Sequence, residues 1–409
     1  MSVVPSVPLP RGSEGEMERL SFAGERAPFL RLVARGSLLQ LPTLGFYRFW
    51  LVTDIRRHLW AHTRLGREAF EYTGTARELL IGFLVALTVL APIYVVYFLV
   101  GLEAERLEAF ASLPLFVVLY LLGQYASYRA RRYRATRTVF RGLRFWMTGS
   151  AWAYAGRAAL WDGLTLLTLG LAYPWRAAAL ERYKLAHTRF GDLSGDFAST
   201  GWVFFKRGVW LWLVAVLTAV VAFISTFAAQ SIGRVAGPRA GGYIGGSIII
   251  LILLFAAFVI YPLFRAIEMR WVLEGLRFGP ITVASDLSMR SVFACYARTL
   301  GVSIAYALVG AGGIALCLWL LAGAVPVASL GASLTGTIMG GVATGAIYLL
   351  FLLGFGIIRR LYLERGLWAA AVASISIANL AALDDVAARG TPAGALGEGL
   401  ADALDVGGF

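Results

Sequence analysis

Lysine is almost missing from this chain: Lys184 and Lys206 are the only two, although lysine and arginine together number 37. Genome composition explains that bias at least as well as phosphate-binding chemistry does. Cysteine is equally scarce. Cys295 and Cys317 both fall in apolar blocks, which excludes a disulfide framework and predicts free buried thiols. Three histidines, and no cluster of Cys, Asp or Glu, leave little for a metal centre. No Gly-rich phosphate loop stands between a strand and a helix, and no nucleophile–base constellation emerges. Neither a cofactor nor an enzymatic activity is expected. The first twenty residues hold Pro5, Pro8 and Pro10 but no apolar core, so no cleaved signal peptide is expected.

Charge is sparse as well, at 15% of residues against roughly 25% in soluble domains. What fills the space is hydrophobic, 59% of the chain, and it comes in long blocks that a soluble core does not need. This pattern predicts a polytopic membrane protein. The net charge of +13 would suit a nucleic-acid binder, but the arginines adjoin apolar blocks. That placement predicts positive-inside topology and no nucleic-acid partner. Residues 79–101 are long enough to span, with Thr75 and Glu78 in capping-box relation and Pro92 kinking the helix. Glu103, Glu105 and Glu108 then fill a short acidic loop, and Ala111–Tyr128 returns. Gly208–Ala229 and Ser247–Phe264 form a second pair joined by a Gly-rich loop. Arg298–Val325 and Thr335–Ile358 form a third, ending at Arg359-Arg360. The four-apart glycines between Gly336 and Gly345 predict close helix packing.

Three basic units punctuate these blocks: Arg56–Gly74, Arg129–Gly149 and Glu181–Gly201. Each closes on Phe-x-x-Thr-Gly, at Phe70 to Gly74, Phe145 to Gly149 and Phe197 to Gly201. Gly275–Phe278 repeats Gly142–Phe145, and Leu20/Phe22 and Ile375/Ile377 alternate like short strands. These short strands predict a small cytoplasmic sheet, because strands of four or five residues need pairing partners. Gly66, Gly142 and Gly191 are placed to end helices at a left-handed C′ position. A second recurrence has an offset of 125: Thr43-Leu44-Gly45 matches Thr168-Leu169-Gly170, and Trp50 matches Trp175. The match continues through His62/His187, Thr63/Thr188 and Gly66/Gly191, which indicates an internal duplication. Gly45 and Gly170 break runs whose halves are too short to cross ~30 Å of hydrocarbon, so each predicts a re-entrant or interfacial helix hairpin.

With these motifs in order, the chain resembles the YjgN family of bacterial inner-membrane proteins. The resemblance rests on the TLG…W segment, the RY…TR.G…F..TG unit and the ALGEGLADALDV ending, and covers Phe22 to Val406. It implies the bacterial cytoplasmic membrane and brings no established activity and no catalytic residues. Phe49-Trp50 stands where the second copy has Pro174-Trp175, which leaves room for the two copies to break differently.

The expected fold is a polytopic helical membrane protein with about six spans, two broken hairpins and short cytoplasmic strands. Its parts are a disordered tail (1–18), a first unit (19–75), two spans with the second unit (76–149) and the duplicated hairpin with the third unit (150–201). Two spans with a fourth unit (202–290), two Gly-rich spans with a terminal strand (291–382) and an acidic Gly/Ala-rich tail (383–409) complete it. Even crossing between basic units places both termini in the cytoplasm, with Arg234 and Arg239 standing against the assignment. Candidate contacts to anionic lipid headgroups are Arg56, Arg57, Arg129, Arg131, Arg132, Arg134, Arg182 and Lys184. Gln40, Arg157 and Asp162 are candidate pathway or hairpin polar residues. Asp54, His58 and His62 share a helical face, but nearby arginines oppose a cation, and an ordinary interfacial face is favoured. Two functions follow: a transporter- or channel-like protein for a small solute or lipid, or a membrane-organising, anionic-lipid-binding scaffold. Protein partners and oligomeric state are left open.

Overall fold

The computed structural model describes residues 17–106, 112–324 and 334–387. Short strands come in pairs around tight turns. β2 (Thr63–Leu65) turns through Gly66-Arg67 into β3 (Glu68–Ala69) and β4 (Glu71–Tyr72). The pairs β5 (Thr138–Phe140) with β6 (Leu143–Met147), β7 (Thr188–Phe190) with β8 (Leu193–Phe197), and β9 (Leu276–Phe278) with β10 (Ile281–Ser285) repeat the arrangement. A further hairpin is split between the chain's two ends: β1 (Glu18–Phe22) pairs antiparallel with β11 (Ile375–Ala378).

Every turn is left-handed where the hairpin twist requires it. Gly66, Gly191 and Gly279 take φ of +59°, +57° and +55° at the first turn position, and Arg141-Gly142 takes +51° and +75°. Asn379, at +62°, ends β11 in the same way. This corrects the expectation that Gly66, Gly142 and Gly191 end helices. The helices stop earlier, at Ala61, Arg137 and Ala186, and a three-residue strand intervenes before each turn. The match of Gly275–Phe278 with Gly142–Phe145 is also out of register: Leu276–Phe278 is the first strand of its hairpin, Leu143–Phe145 lies in the second.

All strands join one 11-stranded sheet in the order β3-β2-β1-β11-β10-β9-β8-β7-β6-β5-β4. Its two edge strands, β3 and β4, are halves of one stretch separated by Phe70 alone, so the sheet curls into a near-barrel that leaves almost no open edge. Just past each second strand, a backbone N–H reaches the C-terminal end of the helix that leads into the neighbouring hairpin. The bonds are Ala23 to His62 (2.9 Å), Thr73 to Arg137 (2.9 Å), Thr148 to His187 (2.8 Å), Ala198 to Gly275 (2.9 Å) and Asp286 to Ser374 (3.0 Å). Each satisfies a carbonyl that a helix end leaves orphaned. Leu20, Leu65, Phe140, Phe190 and Ile281, from strands all round the sheet, meet in one buried cluster with Val372 and Leu383. Phe70 stacks on Phe140 (4.5 Å) and Phe145 lies against Phe190 (4.6 Å), while Phe197 packs outside that cluster against Trp271 (4.8 Å). The expected strand pieces therefore do pair, in a sheet much larger than a small one.

The helices that feed these hairpins are longer than the apolar blocks. α1 (Arg26–Leu38) and α2 (Arg48–Ala61) form the first broken hairpin, α5 (Ala151–Leu167) and α6 (Tyr173–Ala186) the second. Between them, α3 (Ala76–Arg106) runs through Pro92, and α4 (Ser112–Arg137) joins apolar and arginine-rich parts in one helix. After the second hairpin come α7 (Gly201–Ala236), α8 (Pro238–Phe255) and α9 (Tyr261–Gly275), then α10 (Met289–Ala324), α11 (Leu334–Ile358) and α12 (Arg365–Ala373). Three boundaries differ from expectation. Glu103 and Glu105 are helical rather than looped; the Gly-rich connection shrinks to the single break at Gly237 (φ +98°); and the last apolar helix passes through Arg359-Arg360 as a π-helix into α12. Gly is tolerated in apolar helices whose neighbours pack closely, which explains the second. In the third, the arginines extend the helix out to the sheet as the other basic segments do.

Among the described residues, four stretches are long and apolar enough to cross a membrane: Ala76–Gly101, Gly201–Val235, Tyr243–Gly275 and Met289–Leu316. Large apolar side chains face outward along them, including Phe98, Phe223, Leu254 and Leu308. A belt of that kind is what a bilayer, not water, accommodates. Residues 111–128 and 335–358 are not among the four. Of the expected tails (1–18 and 383–409), 1–16 and 388–409 lie outside the described residues; Glu18 opens β1, and Leu383 ends a short 3-10 turn (Leu380–Leu383) packed into the barrel cluster.

The two broken hairpins share one backbone. Leu44-Gly45 has φ of +49° and +87°, Leu169-Gly170 +50° and +90°. Gly45 N–H donates to the Gln40 carbonyl and Gly170 N–H to that of Thr165, both at 2.7 Å, and Thr43 and Thr168 each bond the carbonyl four residues back. Phe49 in place of Pro174 therefore changes nothing at the break. A Cβ would meet nothing within 4 Å at Gly45 and only ordinary contact with Trp212 (3.7 Å) at Gly170, so Gly45→Ala and Gly170→Ala should each cost about 1–2 kcal/mol, from the left-handed backbone. Thermal unfolding of the two variants in detergent checks this; a neutral result at either site would mean the break relaxes.

Candidate functional site

The helix ends gathered on the barrel line a half-open chamber of about 450 Å³ with mixed polar and apolar walls, within the range of small-ligand sites (roughly 300–1,000 Å³). Arg131 and Arg134 of α4 and Lys184 of α6 supply its cations, and Trp60, Tyr154 and Trp368 its aromatic walls. The α4 contribution follows from helical period: Ser127, Arg131, Arg134 and Ala135, with Thr138 just beyond, recur on one face. The tryptophans are pinned. Trp60 Nε1 donates to Thr138 Oγ1 and Trp368 Nε1 to Thr63 Oγ1, both at 3.0 Å, with the two rings 4.5 Å apart. The threonines open β5 and β2, so the sheet itself sets the position of the walls.

Glu181 sits beside the cations, paired with Lys184 one helical turn away and 3.5 Å from Arg131. Burial alone would raise its carboxyl, yet Lys184 and Arg131 together hold it below the usual carboxylate range. Burial pushes the Lys184 ammonium below its ordinary value, against the pull of Glu181. The chamber thus offers fixed positive charge in a low-dielectric place, an environment suited to an anion with hydrogen-bond acceptors.

The seven arginines and one lysine expected at headgroups do not form one surface. Arg131, Arg134 and Lys184 line the chamber. Arg57 and Arg182 are exposed, Arg57 donating to the Gly74 carbonyl (2.9 Å). Arg129 is half-buried over the Tyr125 ring, and Arg132 is half-buried. Arg56 is only 2% exposed and donates to the Tyr72 hydroxyl (3.3 Å), a bond that knits α2 to β4. Asp162 is held by Arg176 (2.9 Å) and by the Tyr120 hydroxyl, which ties α4, α5 and α6 together. Arg157 lies over the Tyr183 ring (4.3 Å), and Gln40 bonds the Gly36 carbonyl. None of these three lines the chamber. His62 and His187 make the same bond, Nδ1 to the carbonyl four residues back (2.7 Å each). Among the described residues no three His, Cys, Asp or Glu side chains gather as a metal site would require. Trp60, Ser127, Thr138, Tyr154 and Trp368 had no signal of their own in the sequence, apart from the shared α4 face of Ser127 with Arg131 and Arg134.

Four apolar helices of spanning length, rooted in a ring of hairpins, define the class: a mostly helical chain compatible with a membrane protein. Within it the chain belongs to a bacterial family, since residues 17–403 match the one described as bacterial protein of unknown function (DUF898), the YjgN-like family that its motifs resemble. No curated protein and no solved structure matches it.

Proposed function

We propose that this is a multi-pass protein of the bacterial inner membrane that binds a phosphate-bearing anionic group in the chamber. α4 and α11 complete six spans in this reading, the broken hairpins enter the cytoplasmic leaflet, and both termini are cytoplasmic. The observation that carries it is the convergence of Arg131, Arg134 and Lys184 between pinned tryptophans. Of the two functional classes, lipid binding is favoured over conduction. Among the described residues, Phe140, Phe190 and Leu383 pack together within the near-barrel, which speaks against a solute route along its axis. Transport of a lipid remains the second reading, supported by the paired broken hairpins.

The test titrates purified protein in detergent with short-chain phosphatidylglycerol, short-chain phosphatidylcholine and inorganic phosphate. Arg134→Gln removes one charge-assisted contact, worth about 1.5–3 kcal/mol, and should weaken phosphatidylglycerol binding roughly 10- to 100-fold. Ser127→Asp, which places a negative charge in the chamber, should act in the same direction. Equal binding of the two lipids by all three proteins sinks the proposal. Phosphate binding as tight as that of phosphatidylglycerol would identify a soluble anion.

A further inference from the structure

A second cavity, half-open and of about 370 Å³, lies between the tip of the second broken hairpin, α7 and the start of α9. Tyr173, Phe204, Phe205, Gly208, Trp212 and Phe264 shape it, and none of its lining residues is charged. Ala256 and Ile260, the ends of a π-helical turn, complete the wall; the extra residue in such a turn widens the helix locally. The polar atoms of three lining side chains are engaged within the protein. Thr165 Oγ1 donates to the Trp161 carbonyl (2.7 Å), Trp212 Nε1 to that of Leu169 (3.0 Å), and the Tyr173 hydroxyl to Glu268 (2.7 Å). Two walls belong to stretches of spanning length, Gly201–Val235 and Tyr243–Gly275, so the cavity faces hydrocarbon and asks for it.

A cation stands beside this cavity at the barrel end of α7. Phe205 lines the cavity and stacks on Trp202, with 5.4 Å between ring centroids and 15° between planes. Trp175 packs against both rings, at 5.4 Å and 6.3 Å. Both tryptophans are exposed, as residues of an interfacial aromatic belt are. Lys206 lies over the Trp202 ring (5.4 Å), one helical turn back toward the barrel, which is the posture of a snorkelling lysine. It is exposed, and among the described residues it pairs with no carboxylate. The acids on the neighbouring elements are taken: Glu274 by Arg207 (2.6 Å) and Arg270 (2.7 Å), Glu268 by Arg265, and Asp162 by Arg176 (2.9 Å).

We infer that this is a lipid site of its own: the cavity holds an acyl chain of an anionic phospholipid whose headgroup meets Lys206 beside Trp202. It is separate from the chamber and does not depend on how the chamber is read. The cavity selects a lipid over a soluble anion, because its walls offer only apolar contact to a ligand. Lys206 selects an anionic lipid over a neutral one, through a charge that costs nothing to redirect from another partner.

The test uses the full chain, reconstituted in phosphatidylcholine vesicles with a trace of photoactivatable lipid, either phosphatidylglycerol or phosphatidylcholine. The reactive group sits near the end of one acyl chain. After irradiation, label is expected on peptides of the cavity wall between Phe204 and Ala215. Phosphatidylglycerol should give about fivefold more of it, the effect of one cation near a membrane surface. Lys206→Gln should bring the two lipids level, and Lys206→Arg should keep the preference. Gly208 suits a blocking substitution: it lines the cavity, and the nearest atom to an added Cβ is Phe204 Cε2 at 4.0 Å. Gly208→Phe should abolish the label from both lipids, whereas Gly246→Phe, on α8 with nothing within 4 Å, should leave it intact. Ala215→Phe fills the same cavity should Gly208→Phe fail to fold. Label that survives a filled cavity, or that spreads evenly over the outer helix faces, overturns the inference. So does equal labelling by the two lipids in the unaltered protein, or a preference that Lys206→Gln leaves untouched.

Discussion

Replacing Lys184 by methionine should destabilise the protein by about 3–5 kcal/mol, the cost of stranding one member of a buried ion pair. Lys184 and Glu181 are 16% and 14% exposed at their side chains, so water can do little for either one alone. Methionine keeps the volume and the apolar stem but takes away the charge closest to the Glu181 carboxylate. What remains is Arg131 at 3.5 Å, too long for a good hydrogen bond. The double variant Glu181→Gln/Lys184→Met has no carboxylate to strand and should recover most of the loss. Unfolding in detergent, followed by tryptophan fluorescence, distinguishes the two. A double variant as unstable as the single one would show that the loss came from packing, not from charge.

That ion pair also marks where the sequence stops being legible. Arginine clusters beside apolar blocks announced a membrane protein, because the charge density of a bilayer surface and the length of a span are simple one-dimensional constraints. The breaks at Gly45 and Gly170 were equally visible, since only a left-handed residue ends a helix so abruptly. Strand pieces at Phe70, Phe145 and Phe197 were recognised from alternation, yet their sheet was underestimated. Strands as short as Thr63–Leu65 and Leu276–Phe278 carry too few residues to show a period, and only closure into a ring makes them stable. For the same reason the turn glycines look like helix caps in the sequence. The chamber was the least visible. Arg131 and Arg134 look like Arg129 and Arg132 in a run of arginines, and only the register of α4 decides which pair turns inward. Trp60 and Trp368 are far apart in sequence and meet because β1 and β11 bring the chain's ends together.

Starting the chain at Gly24, so that β1 is missing, is expected to abolish the folded monomer, whereas starting it at Met17 should preserve the fold. β1 is not an edge strand: Leu20 pairs with Leu65 of β2 on one side, and Glu18 with Ile377 of β11 on the other. Its loss would open the near-barrel at a point where no turn can close it, leaving β2 and β11 as two unpaired edges ready to capture another chain. It would also remove Leu20 from the cluster that fills the barrel, and the Phe22 ring over which the buried Arg365 guanidinium lies. Arg365 is 9% exposed and its Nε has no partner, so losing that ring leaves a buried cation with the Gly24 carbonyl as its remaining contact. Truncation is a severe change, and a milder variant isolates the cause. Leu20→Asp in the full chain keeps the backbone but puts a carboxylate among phenylalanines, which should cost at least about 3 kcal/mol. Gel filtration and limited proteolysis in detergent report the result. If the chain from Gly24 elutes as a protease-resistant monomer, the hairpins hold their ring without closure, and the pairing of the two termini is incidental to the fold.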